Sequence, residues 1–286
     1  AHVTHEHLSQ SLRHYDHTYH RDTPSFFGWD SGVISYCYDA QALWLIGLPA
    51  RAERSAERAR ALVRDLKSPF NEALCHGLLS LYYAYSNEPV KLLEATAAGI
   101  KVSRAGGFLH WLALTTLLHA SALCKLGNRD EGLLRLADGV QQWRSTGAQL
   151  GLPVYLALMA EAFMMNGSLK RASDCLDEAF SVSATNNDCH YDAELYRLQG
   201  ELALTETRDV GRNNPEPTFR RAIKVARAQK AKTLELRATV SLCRLLFKQG
   251  KDKQARDNLQ AIYSRFTEGF DTPDLKQARD FLHNLR

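Results

Sequence analysis

The chain has 286 residues, of which 45% are hydrophobic and 24% charged, and a net charge of +4. This is the make-up of a folded soluble protein: no run of ~18 apolar residues could span a bilayer, and no signal peptide is visible. The slight positive charge gives no reason by itself to expect nucleic acid. The chain opens at Ala1 without Met and reads as a piece of something longer.

In chain order, the first twenty residues form an expected helix crowded with His2, His5, His7, His14, His17 and His20. Spacings of three and four would put pairs on one face, where a transition metal could bind. The same spacing suits a solvated helix, and no carboxylate or cysteine completes a site, so neither metal nor cofactor is expected. Residues 21–30 read as a loop with Pro24, Phe26, Phe27 and Gly28.

Six helix pairs follow, at 31–66, 69–105, 109–146, 151–185, 189–230 and 233–266, within a single repeat domain of residues 1–286. In the fourth pair Leu156, Met159, Ala160 and Phe163 share one face, and Ala172, Leu176 and Ala179 share the next. Gly47, Gly127, Gly167 and Gly250 fall where a first helix should end in positive φ. Ser168 is placed to cap the helix after it, and Asn128 with Glu131 resembles a capping box. Residues 207–217, with Gly211, Asn213, Asn214, Pro215 and Pro217, read as an exposed loop. Residues 272–286 read as a capping helix, with Thr272 as cap and Pro273 in its first turn.

The repeat shows in the small residues. Ala40, Ser80, Ala120, Ala160 and Gly200 stand forty residues apart, and Cys243 follows after forty-three. A second series, Ala59, Gly99, Gly139, Ala179, Ala222 and Ile262, trails by nineteen, or by twenty-two at Ala222; a third holds Ala52, Gly132, Ala172 and Ala255. Small side chains at these sites let paired helices approach. Six cysteines without a C-x-x-C pair (Cys37, Cys75, Cys124, Cys175, Cys189 and Cys243) read as small core residues of a reduced, cytoplasmic protein.

This pattern resembles the tetratricopeptide repeat, with a small residue in the first helix and small-aromatic-small in the second. The consensus Trp and terminal Pro are mostly missing, and the period is forty instead of thirty-four, which helices about one turn longer explain. The resemblance implies an all-α chain: a right-handed α-α superhelix of about six helix pairs with a C-terminal capping helix.

Three segments carry a closer resemblance. They are Phe266-Thr267-Glu268-Gly269-Phe270-Asp271-Thr272-Pro273-Asp274-Leu275, Leu156-Ala157-Leu158-Met159-Ala160-Glu161-Ala162 and Ala193-Glu194-Leu195-Tyr196-Arg197-Leu198-Gln199-Gly200-Glu201-Leu202. They resemble the C-terminal repeat region of bacterial signalling proteins that place a class III nucleotide cyclase or a winged-helix DNA-binding domain before a STAND-type ATPase. The resemblance implies a non-catalytic regulatory arm that binds a protein or peptide partner or its own upstream domains. It transfers no catalytic residue: Gly250-Lys251 is followed by Asp252 and lacks the earlier glycine of a phosphate loop.

In a tetratricopeptide-like stack the first helices line a concave groove. Its N-terminal half would show Ile34, Cys37, Gln41, Leu74, Gly77, Leu81, Leu114, Leu117 and Ser121, and its C-terminal half Glu161, Glu194, Arg197, Glu201, Arg237 and Arg244. The apolar end could take a partner helix or be filled by the chain's own Phe26, Phe27 and Trp29. At the charged end the ions could pair with one another, or the arginine forks could hold an acidic group of a peptide or effector. Trp111, Tyr155, Tyr191 and Tyr196 could stack on a ligand or pack between repeats.

Two basic stripes read as solvated faces: Arg51, Arg54, Arg58, Arg60 and Arg64, and Arg220, Arg221, Lys224, Arg227, Lys230 and Lys232. Nucleic-acid contact by the second is the lesser reading. A small-molecule effector sensor is the alternative function. An enzyme would need His110, His119, Glu161 and His190 to converge, and nothing in the sequence brings them together.

Overall fold

The computed structural model describes residues 1–16, 28–206 and 214–285. His17, His20, Pro24, Phe26, Phe27, Gly211 and Asn213 lie outside them. Among the described residues there are fourteen helices and no strand. They are α1 (His2–His14), α2 (Ser31–Leu45), α3 (Pro49–Leu66), α4 (Pro69–Tyr85), α5 (Pro89–Gly106), α6 (Leu109–Lys125) and α7 (Arg129–Ser145). Then come α8 (Leu152–Met165), α9 (Leu169–Asn186), α10 (Asp192–Glu206), α11 (Glu216–Ala228), α12 (Lys232–Lys248), α13 (Asp252–Tyr263) and α14 (Pro273–Asn284). No helix is long and apolar enough to cross a membrane among these residues.

The chain divides into two compact units, residues 1–44 with 48–148, and residues 45–47 with 149–286. In the first, α3 packs on α4, α4 on α5, α5 on α6 and α6 on α7, and α4 also meets α6. In the second, each helix from α8 to α14 packs on the next, and α8 meets α10, α10 meets α12 and α12 meets α14. Neighbouring first helices therefore touch each other as well as their partners, and their sequences show it. In α4, thirteen of its residues from Asn71 to Tyr85 are buried, nearly all round the helix. In α9 only a stripe is buried: Ala172, Cys175, Leu176, Ala179 and Ser183.

The small residues mark the closest crossings. All sixteen members of the three series are buried. A Cβ on Gly139 would lie 2.9 Å from the Leu117 Cα, and one on Gly132 would lie 2.5 Å from the Cys124 sulfur. A Cβ on Gly200 would lie 2.4 Å from the ring of Phe219, itself fully buried. Glycine inside a helix costs roughly 0.5–1 kcal/mol against alanine, and close packing offsets it here.

The links between paired helices recur as well. Gly47, Gly127, Gly167 and Gly250 all have φ between 71° and 102°. In each link the residue after the glycine donates its backbone N–H five residues back: Leu48 to Leu43, Asn128 to Leu123, Ser168 to Phe163 and Lys251 to Leu246. This is the Schellman closure. It corrects the expected capping. Asn128 and Ser168 stand at the N-caps but make no side-chain cap bond, because the closing turn holds their ψ near 61° and 62° instead of extended. Thr272 also makes none; its hydroxyl donates to the Gly269 carbonyl at 2.7 Å. Ser68, with ψ 113°, does accept from the Asn71 N–H.

The first helix is shorter than the twenty residues expected. It ends at His14, and Tyr15 turns extended so that its ring covers Gly32 and its hydroxyl donates to Asp30 at 3.0–3.1 Å. Asp30 in turn accepts from the Val33 N–H at 2.9 Å. Of the histidines, His5 lies 2.7 Å from Asp39 and His2 lies 3.2 Å from Glu6. Among the described residues no three His, Cys, Asp or Glu side chains gather as metal ligands. None of the six cysteines is in a disulfide, five of them are buried, and burial pushes the Cys243 thiol up to about 12.

Candidate ligand-binding face

In the second unit the charged first-helix residues form one connected ladder. Position three before Arg197 and position four after it lie on the same face of α10, which brings Glu194 and Glu201 to its guanidinium. Arg197 Nε and Nη2 donate to the two oxygens of Glu194 at 3.0 and 2.7 Å, a bidentate fork. Its Nη1 lies 3.6 Å from Glu201 Oε1, the longest of these three contacts. Glu201 also accepts from the Ser241 hydroxyl on α12 at 2.5 Å.

Arg237, on α12, continues the ladder in the other direction. Its Nε and Nη2 donate to Asp274 at 2.8 and 2.9 Å, and its Nη1 lies 3.8 Å from Glu194. The order is Asp274, Arg237, Glu194, Arg197, Glu201, Ser241, across α14, α12 and α10. Glu194 is only 6% exposed and Arg237 12%, whereas Glu201 is 27% exposed. Arg197 is 15% exposed, so Glu201 is the most accessible member of the ladder.

Electrostatics hold both arginines charged. Burial is the largest influence on Arg197 and disfavours its charge; Glu194, Glu201 and Glu161 outweigh it, and its pKa rises above the ordinary arginine value. Arg237 behaves alike, with Asp274 and then Glu194 outweighing burial. Tyr191, buried beside them, has its phenol pushed upward first by burial and then by Glu194. Breaking one partner of such a buried pair costs about 3–5 kcal/mol, because the other charge is left uncompensated.

The other sequence candidates divide. Glu161, half-buried on α8, acts on both Arg197 and Tyr191. Tyr155 is buried, with its hydroxyl over Gly151. Arg244 is exposed and makes no ion pair with the ladder. In the first unit, Gln41 is buried and donates to the Leu78 carbonyl at 3.0 Å. Ser121 is buried. Trp111 packs over Gly77 and edge-on to Phe70.

The apolar end is closed. Cys37, Leu74, Leu81, Leu114 and Leu117 are all buried, so they offer no open strip to a partner helix. Of the alternative filler, Trp29 is 43% exposed, and Phe26 and Phe27 lie outside the described residues. The histidines of the enzyme reading are separately engaged: His119 with Thr96 at 2.9 Å, His110 against Trp143, and His190 with Asp188 at 2.7 Å.

Asp274 and Ser241 were missed. Ser241 lies one turn after Arg237, at a position that the groove reading did not name. Asp274 begins the last helix, which a repeat-based reading assigns to capping alone.

No protein-family model matches the chain, and no curated protein matches it in sequence. Solved structures match its fold. The apo form of RapI is similar with a TM-score of 0.59 and 11% identity, over 88% of this chain and 85% of that one. A Rap protein complexed with Competence and Sporulation Factor is similar with a TM-score of 0.58 and 11% identity, over 89% and 75%. A STAND protein with a tetratricopeptide repeat sensor, PH0952 from Pyrococcus horikoshii, gives 0.47 and 13%, over 97% and 40%. At these identities the likeness is one of fold, and the fold is a tetratricopeptide-like helical-repeat solenoid.

Proposed function

We propose that the chain is a non-catalytic binding module of a larger bacterial signalling ATPase, and that the first-helix face around Arg197 holds an acidic group of a partner segment. The carrying observation is the uneven grip on Arg197. Two of its nitrogens are locked on Glu194, while Nη1 faces the half-buried Glu201 across 3.6 Å. An incoming carboxylate takes Nη1 while Glu201 stays on the Ser241 hydroxyl, from which its Oε1 already accepts at 2.5 Å. The partner is an acidic peptide segment, supplied by another protein or by an upstream domain of the same chain. The complex of a Rap protein with Competence and Sporulation Factor shows that a similar fold is compatible with holding a ligand. The signalling-ATPase parent rests on the three sequence segments alone; a phosphate loop in the upstream gene sequence supports it, and a different upstream domain counts against it.

The test is an array of synthetic acidic peptides on the intact chain. Peptides retained by the wild type are expected to be lost with Arg197→Glu and to bind several-fold tighter with Glu201→Gln, which removes the internal competitor. Equal retention by all three proteins would overturn the assignment. A small-molecule effector is the second reading; Tyr191 beside the ladder favours it, and ligand-dependent thermal stabilisation across a metabolite library tests it.

A further inference from the structure

Two hollows occupy equivalent places in the two units. One, of about 400 Å³, is lined by Glu53, Arg60, His76, Leu79, Tyr83, Lys91, Glu94 and Ala95 on α3, α4 and α5. The other, of about 280 Å³, is lined on α11 by Arg220, Ile223, Lys224 and Arg227, on α12 by Thr239 and Leu242, and on α13 by Asn258 and Ala261. A single offset of 163 residues carries Arg60, His76, Leu79 and Ala95 onto Ile223, Thr239, Leu242 and Asn258. The repeat has built the same depression twice, between two second helices and the first helix that separates them.

Their chemistry differs. In the first unit two carboxylates line the hollow beside two cations. Glu53 pairs with Arg60 at 3.1 Å and with Lys91 at 3.8 Å, and Glu94 stands beside them. In the second unit no carboxylate is among the described lining residues, and the cations sit at spacings of four and three along one face of α11. The carboxylates just outside are shared. Glu216 serves Arg220 at 2.7 Å and Lys251 at 4.0 Å; Glu235 serves Arg227 at 2.7 Å and Arg265 at 2.9 Å. Two carboxylates thus meet four cations, and Lys224 has no ion-pair partner among the described residues.

A further observation points to a missing partner. The Asn258 Nδ2 is buried and has no acceptor, although its residue lines the hollow. Buried amide donors are ordinarily satisfied. The floor is apolar, with Ile223 and Leu242 buried beneath the lining, and Ala261 adds an apolar side at the rim.

We propose that this hollow binds a small, multiply charged oxyanion on an apolar body, a phosphate ester or a polycarboxylate. Its oxygens meet Lys224, Arg220, Arg227 and the Asn258 amide, and its body lies on the apolar floor. The site is independent of the Arg197 face: Thr239 and Leu242 project roughly opposite Arg237, Ser241 and Arg244 on the 3.6-residue turn of α12.

Isothermal titration of the intact chain with inorganic pyrophosphate and, separately, with citrate tests it. One-to-one saturable binding of either probe in the millimolar range or tighter is expected, and which one binds distinguishes the phosphate from the carboxylate source. Lys224→Glu is expected to weaken that binding at least tenfold and Asn258→Ala several-fold, while Lys253→Glu, elsewhere on α13, leaves it unchanged. Circular dichroism checks the helix content, and Lys224→Gln serves if the charge reversal disturbs it. Absence of saturable binding of both probes overturns the proposal, as does unchanged affinity in the Lys224 variant. Preference for a single-stranded oligonucleotide, with affinity that grows with its length and falls steeply with salt, also overturns it by assigning the stripe to nucleic acid.

Discussion

A single missing side chain can hold a helix crossing, and Gly200 is the clearest case. Alanine would improve helix propensity by ~1 kcal/mol, yet its Cβ would meet the buried Phe219 ring at 2.4 Å. Gly200→Ala is therefore expected to lower stability by about 1–3 kcal/mol in urea unfolding, and Phe219→Leu is expected to recover part of that loss in the double variant. An improvement on Gly200→Ala alone would contradict the crossing. Asp188 makes a second residue-scale prediction. It accepts from the Gly151 N–H at 2.9 Å and meets His190 at 2.7 Å, so one carboxylate ties the start of α8 to the start of α10. The His190 contact, working with the Gly151 bond against burial, holds its pKa below the ordinary 3.8. A carboxylate depressed on folding contributes stability that is fully present above its unfolded value and lost as pH falls through its folded one. Acid unfolding of Asp188→Asn should accordingly be less steep below that value than that of the wild type; identical acid transitions would rule this role out.

Helices carry the next level. The last one, α14, buries Leu275 and Ala278 against the core and is pinned at its first turn by Asp274 on Arg237. Asp274→Ala should cost roughly 3 kcal/mol, since the buried Arg237 loses the paired hydrogen bonds at 2.8 and 2.9 Å to that carboxylate. Native-state hydrogen exchange should show it first as faster exchange in α14. Uniform acceleration through the second unit would mean instead that the pair stabilises all its helices alike. Helix order and the crossings were legible in the sequence because both depend on local rules, period and bulk. The caps at Asn128 and Ser168 were not, because the preceding helix's closing turn fixes their backbone before the side chain can choose. Glu194, Arg197 and Glu201 were legible because they share one helix face. Asp274 was not, because its partner lies on a helix thirty-seven residues earlier.

Across the whole molecule, the repeat supplies two kinds of surface. Its first helices carry the Arg197 ladder, and its second helices carry the cationic hollow. The apolar half of the anticipated groove is buried instead of open, so the charged half carries the binding reading. In a helical-repeat protein each unit's stability is set largely by its own neighbours. Gly139→Ala in the first unit and Gly200→Ala in the second should thus perturb exchange mainly in their own unit. The most direct measurement is hydrogen–deuterium exchange on the intact chain with and without the best-retained acidic peptide. Protection concentrated in α8, α10 and α12, and abolished by Arg197→Glu, is the expected result. Protection confined to α9, α11 and α13, or unaffected by that substitution, would contradict binding at the first-helix face.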